Sequence, residues 1–342
     1  MSKKVKKQLT EEQILKKERG RVIAWTIVWI IFVVFLINII ILPLSASRGR
    51  PLGDVQNENK YIVGNNKPLI SAHRAGGSLA PEETLLAFEK CMEPTNYKVD
   101  IVEFDLHITK DGELILLHDG KVDRTSNSQE VFGTKDVKVK DKTLEELKTL
   151  NFGENFVAPD GSTPYKGLKG DDVPDNVKIL ELDTILAFLT STRPNDLYYI
   201  IEIKDGGKDG EIAMDKLHDK MVEYNIVDKT IVGTFQNNVT EYIDKKYPEL
   251  TRSGSILEVL NFYYSFLYGV KPNVKCEVLQ IPKGYAWIDL TSKAFIDYAH
   301  SYGMACQYWT INDKELTKKL IDNGADAIIT DNPEEIYSVI YT

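Results

Sequence analysis

His73 and Arg74 stand together after the apolar run Leu69–Ala72, and Glu103 and Asp105 lie two apart in the run Ile101–His107. His118 follows Leu114–Leu117. Side chains alternate along a strand, so Glu103 and Asp105 share one face. Two like charges buried there are costly, and a hard divalent cation is the natural remedy because it takes carboxylate oxygens. Glu202, near the end of Tyr198–Ile203, offers a third oxygen, and Lys204 shares its face. The planar fork of arginine suits a phosphate, and histidine carries protons near neutral pH. One of His73 and His118 can take a proton from an attacking oxygen while the other gives one to a leaving group, with either assignment open. Together these are the parts for metal-assisted cleavage of a phosphate ester. The spacings E-x-D and E-x-K also fit surface acids at strand ends. Trp309 fits either an apolar wall for a substrate alcohol or core packing. His107, His218 and His300 sit in polar or helical settings and read as surface or structural residues, while Asp331, ahead of Pro333, reads as a cap of the last helix.

The elements that must position these residues are short β-rich runs alternating with helical spacing. Strands are expected at Leu69–Ala72, Ile101–His107, Tyr198–Ile203, Thr230–Phe235, Arg252–Ile256, Val278–Ile281, Ala305–Thr310 and Ala327–Thr330. Helices are expected at Thr84–Met92, Ile212–Tyr224, Asn238–Lys246, Ser292–Tyr302 and Asp313–Asn323. Eight strands in alternation predict an α/β fold, a (β/α)8 TIM barrel. Residues 113–180 break the alternation, with a helix near Leu144–Leu150 and a Gly/Pro/Asp-rich loop from Phe152 to Asn176, and read as a small insertion after the second strand. Such insertions sit over the C-terminal mouth of a barrel, where active sites form.

Between Arg21 and Arg48 there is no charged residue, and Val22–Leu44 is nearly all apolar. That is long enough for one N-terminal transmembrane helix, and longer than the apolar core of a cleaved leader. Residues 1–21 hold eight Lys/Arg against three Glu, a net of +5; with −9 overall, the rest carries −14. The positive-inside rule then keeps the basic tail, residues 1–21, in the cytoplasm and places the catalytic domain, residues 67–342, outside after a linker, residues 45–66. The expected location is the cell membrane, in a single-pass topology. So acidic a domain lacks the basic footprint for nucleic acid. Cys91, Cys276 and Cys306 have no metal-ligand spacing. No protein partner is expected.

The ordered set H-R, A-P-E-x-T, E-x-D-L-x-x-T-x-D-G-x-x-x-x-x-H-D, D-R-T, E-I-K, W-T-I-N and I-I-T-D, over residues 67–340, resembles the glycerophosphodiester phosphodiesterase family, in a membrane-anchored bacterial type. The resemblance implies hydrolysis of a glycerophosphodiester, or a lysophospholipid-type substrate, to glycerol 3-phosphate and an alcohol. It implies Glu103, Asp105 and Glu202 as ligands of one divalent cation, Ca²⁺ or Mg²⁺, and His73 and His118 as the acid–base pair. Arg74 and Lys204 would contact phosphate, Trp309 the substrate, and Glu82 would lie at the metal's edge or beyond its ligands. Two residues depart from the family pattern. Ala75 replaces a glycine after H-R, and Glu83 replaces the asparagine before Thr84, adding a charge near the site. The competing readings are a related barrel enzyme that uses the substrate's own hydroxyl and releases a cyclic phosphate, and a non-catalytic envelope protein.

Overall fold

The computed structural model describes residues 11–37 and 59–341, apart from 65, 94–95 and 286–287. The chain divides into two compact units, residues 1–51 with 263–272 and residues 52–262 with 273–342. In the first, a helix runs from Glu11 to Leu36. Its portion Leu15–Leu36 is long and apolar enough to cross a membrane, with a mean hydropathy of 1.9. The expected span beyond residue 37, the tail before residue 11 and the linker through residue 58 lie outside the described residues.

The second unit is a parallel barrel. Strand β1 (Leu69–Ala72) pairs with β2 (Ile101–Ile108) and with β11 (Ala327–Thr330). β2 pairs with β5 (Tyr198–Ile203), and β5 with β6 (Thr230–Gly233). On the other side β11 pairs with β10 (Ala305–Tyr308), and β10 with β7 (Val278–Ile281). The expected strand Arg252–Ile256 is the correction. Only Arg252 and Ser253 bridge, to Val232 and Val278, and a helix already begins at Ile256. Those two bridges nevertheless close the ring at eight staves. Arg252 is held there by charge: its Nε donates to Asp244 at 2.6 Å and its Nη1 to Glu258 at 2.7 Å.

Between β2 and β5 the chain carries β3 (Leu114–Leu116), antiparallel to β2, and β4 (Leu180–Glu181), antiparallel to β3. Residues between them build a small core of their own, with Val122, Val139, Leu147 and Phe152 buried. Its helix Leu144–Lys148 starts with a capping box, Thr143 and Glu146 each taking the other's backbone N–H. Unforeseen from sequence are the helix Leu182–Thr192 and the two-residue strands β8 (Gly284–Tyr285) and β9 (Ile288–Asp289).

Alternation along β2 sorts its residues. Val102, Phe104 and Leu106 pack outward against the helices. Ile101 joins Ile200, Ile231, Val278, Ala305, Ala327 and Tyr61 in the barrel floor. Residues 59–64, assigned above to the linker, thus belong to the barrel unit: Tyr61 is 1% exposed, and Asn59 Nδ2 donates to the Glu277 and Gly303 carbonyls. The Tyr61 hydroxyl is buried without a partner. Tyr61→Phe is therefore expected to be neutral or slightly stabilising, whereas Tyr61→Ala should cost about 3–5 kcal/mol in urea unfolding.

Candidate active site

Above the floor the inward positions turn polar. Glu103 and Asp105 on β2 and Glu202 on β5 offer carboxylate oxygens lying within 4.8 Å of one another. Asp105 is 1% exposed, and neither of its oxygens has a hydrogen-bond partner of good geometry. The nearest cations are Lys204 Nζ at 3.2 Å and Arg74 Nε at 3.8 Å. Lys204 also lies 3.0 Å from Glu202. Burial first, then Asp105, pushes the Glu103 carboxyl up to about 7, and the same two causes raise Glu202. Burial opposes the charge on Lys204, but Asp105 and Glu202 outweigh it and raise its pKa. Three converging carboxylates, one with orphaned oxygens, are a donor set that fits a hard divalent cation.

The turn after β1 supplies the next groups. Arg74 and Ala75 both adopt left-handed backbone, with φ of 49° and 62°. In Ala75 this is the conformation that glycine takes without penalty, which explains the family's preference there. The turn delivers the Arg74 N–H to Glu103 Oε2 at 2.7 Å. His73 Nδ1 meets Asp331 Oδ1 at 2.6 Å, while Asp331 Oδ2 accepts from Asn312 Nδ2 at 2.7 Å. Burial disfavours the His73 cation, yet Asp331 and Glu103 outweigh that and raise its pKa. The reading of Asp331 as a helix cap is thereby corrected: its carboxylate orients a histidine, and Asn332 Oδ1 meets the Glu335 N–H instead.

His118 follows β3 and pairs through Nδ1 with Asp119 Oδ1 at 2.7 Å. Burial lowers its pKa, with Asp105 and Asp119 opposing. Arg124 binds Asp119 and, at 2.6 and 3.0 Å, both oxygens of Glu82. Glu82 also accepts from Arg74 Nη1 at 3.1 Å, so it ties two arginines together and is not one of the three converging carboxylates. Glu83 is 2% exposed and takes the Asp105 N–H at 3.2 Å. Burial, then Asp105 and Glu103, raises its carboxyl well above the usual range.

One cavity at the mouth is lined by His73, Arg74, Glu103, Asp105, His118, Glu202, Lys204 and Trp309. All but one of the candidate residues therefore meet, and the exception is Glu82. Trp309 serves as wall and packing at once, edge-on to Phe235 at 6.2 Å between centroids. Of the control histidines, His218 stacks on Tyr247 and His300 pairs with Asp326 at 2.8 Å. His107 is buried against Asp205. Sequence reasoning missed Asp331, Asp119, Arg124 and Glu83 as partners. The D-R-T and I-I-T-D motifs, which contain Arg124 and Asp331, and the H-D pair that ends in Asp119 were the available signals.

A parallel barrel whose mouth gathers three carboxylates, an arginine, a lysine and two carboxylate-braced histidines fits a phosphodiester hydrolase. The sequence model of the glycerophosphoryl diester phosphodiesterase family matches residues 73–335, and this chain belongs to that family. It is 28% identical to a glycerophosphodiester phosphodiesterase of Caldanaerobacter subterraneus subsp. tengcongensis over 80% of this chain and 98% of that one. A Bacillus subtilis glycerophosphodiester phosphodiesterase is 25% identical over 89% and 94%. Among solved structures, an Oleispira antarctica phosphodiesterase in complex with the product sn-glycerol-3-phosphate shares the fold with a TM-score of 0.58 at 20% identity, covering 81% of this chain and 98% of that one. An Agrobacterium tumefaciens glycerophosphodiester phosphodiesterase does so at 0.58 and 19% identity, covering 79% and 99%.

Proposed function

We propose that this chain hydrolyses glycerophosphodiesters to glycerol 3-phosphate and an alcohol, with His73 and His118 as proton carriers, at the outer face of the membrane. The observation that carries this reading is the convergence of both histidines, Arg74, Lys204 and three carboxylates on one cavity. When bound, a divalent cation held by Glu103, Asp105 and Glu202 supplies charge neutralisation at the phosphoryl oxygens. Arg74 and Lys204 orient the phosphate. His118, whose pKa is lowered, is neutral near pH 7 and accepts the proton of the attacking oxygen. His73, whose pKa Asp331 and Glu103 raise against the opposing effect of burial, gives its proton to the departing alcohol, which rests against Trp309.

These opposite shifts set a pH profile. Activity falls on the acid side as His118 gains a proton, at a pH below its ordinary 6.5, and on the alkaline side as His73 loses one, above 6.5. A bell for kcat/KM that spans 6.5 is the expected result. An activity that rises through pH 8 to 9 without an alkaline limb would contradict it.

The helix Leu15–Leu36, with eight Lys/Arg in residues 1–21 before its uncharged stretch, supports a membrane anchor with the N-terminus in the cytoplasm. Protease added to intact cells should then remove the catalytic domain, and protection of that domain would reverse the topology. Silent assays with every glycerophosphodiester, alongside a phosphorus NMR signal for a cyclic phosphate, would favour the alternative barrel chemistry.

A further inference from the structure

Helices on the outside of a barrel bury one face and show charge on the other. The helix Lys314–Asn323 follows that rule, with five charged residues in ten. The helix Ile256–Tyr268 does not. Glu258 is its one charge, and that carboxylate is turned onto Arg252, 2.7 Å from Nη1 and 2.9 Å from Nη2. Ile256, Leu257 and Leu260 face solvent instead, Leu257 with 61% of its surface exposed. Single exposed apolar residues are ordinary on a protein surface, but a contiguous group marks a contact site.

Topology gathers further apolar residues beside these. The helix follows the stave Arg252–Ser253, which bridges β6 on one side and β7 on the other. Past the end of β6 stands Phe235, 43% exposed, and past β7 stands Tyr285, 79% exposed. Three neighbouring staves thus end in exposed apolar residues along one side of the mouth. Phe235, Ser253, Gly254 and Gln280, from the same three, line the catalytic cavity. Residues 234–237, 254–262 and 282–285 hold no acid except Glu258, and the exposed charge among them is Lys283. The chain beyond residue 21 carries −14, so a rim without a free acid is an exception that lipid phosphates can approach.

We propose that Phe235, Ile256, Leu257, Leu260 and Tyr285 seat this side of the mouth on the surface of the bilayer that holds the anchor. The proposal rests on the membrane-anchor part of the proposed function. Residues 37–58 join the membrane helix to Asn59, the first described residue of the barrel unit, and span at most about 80 Å when fully extended. A tether of that length makes docking intramolecular, so a patch too small to bind a bilayer from solution suffices. The aliphatic side chains enter the headgroup boundary, and Tyr285 suits that layer with an apolar ring and a polar tip. The entrance of the cavity then lies beside the lipid headgroups.

Full-length protein reconstituted in phosphatidylcholine vesicles, with and without doxyl-labelled chains, provides the test. Cys91, Cys276 and Cys306 are buried, so a cysteine introduced at the surface takes a fluorescent label selectively. Labels at Leu260→Cys and Tyr285→Cys should lose emission to the doxyl lipids. A label at Val222→Cys, exposed at the floor end of the helix Gly207–Glu223, should not. Adding Leu257→Glu should lower the docked-to-free ratio read by the Tyr285→Cys label about 10-fold or more, and leave glycerophosphocholine hydrolysis in detergent at its former rate. Absence of quenching at both rim positions, equal quenching at Val222→Cys, or an unchanged ratio with Leu257→Glu overturns the proposal. So does a rim label shielded without doxyl quenching as protein density rises, because a second copy then covers the face. None of the fluorescence readouts needs turnover, so the phosphodiesterase reading stands or falls separately. Protein stripped from the vesicles by carbonate overturns the anchor and the proposal together.

Discussion

Asp105→Asn is expected to abolish the response to divalent cations while making the cation-free protein more stable. The wild type buries Glu103, Asp105 and Glu202 side by side, and among the described residues Lys204 and Arg74 are the cations paired with Asp105. Removing one negative charge relieves repulsion that burial makes strong. The same change removes one of the three carboxylates proposed to hold the cation, the one whose oxygens are orphaned in the protein. In thermal unfolding, the wild type should gain about 2.7 kcal/mol when Ca²⁺ or Mg²⁺ is present at a hundred times its Kd. Asp105→Asn should melt higher than the wild type in EDTA and gain little from either ion. Its activity should fall about 10³-fold, equivalent to the several kcal/mol that cation neutralisation supplies. A variant less stable than the wild type in EDTA would mean that Asp105 serves mainly to pair Lys204 and Arg74.

Substitution of the histidines is the second large effect. His118→Ala and His73→Ala should each lower kcat by about 10²–10⁴-fold, the usual contribution of a positioned proton carrier. The double variant should lose less than the product of the two, because the groups act as a unit. Asp331→Asn leaves the His73 ring in place but withdraws the charge that raises its pKa. The alkaline limb of the pH profile should accordingly move to lower pH in that variant. An unmoved limb would show that Asp331 holds the ring only sterically.

Much of this site was legible before any coordinates because strand periodicity is rigid. Two carboxylates at i and i+2 on β2, and Glu202 with Lys204 at the end of β5, can only share a face. The eighth stave was misread because Arg252 and Ser253 contribute just two bridges, while the side-chain pairs of Arg252 substitute for a ladder. Asp331 was misread because the proline two residues on carries a strong helix-start signal, whereas its bond to His73 spans 258 positions in sequence. Glu83 read as an added charge near the site; its burial and its bond to the Asp105 N–H leave no local trace in the sequence. Tyr61 was lost in a polar stretch that gives no periodicity, although its ring fills the barrel floor. Local pattern carries the staves and the inward carboxylates. Partners that arrive from distant loops leave no such trace.

The most direct test of the account is glycerol 3-phosphate release from glycerophosphocholine, followed in EDTA and after Ca²⁺ or Mg²⁺ is restored, for the wild type, Asp105→Asn and His118→Ala. The account predicts release by the wild type that is lost in EDTA and regained with a divalent ion, and release slower by about 10²-fold or more in both variants. Release that persists in EDTA, or that survives in His118→Ala at the wild-type rate, would contradict it.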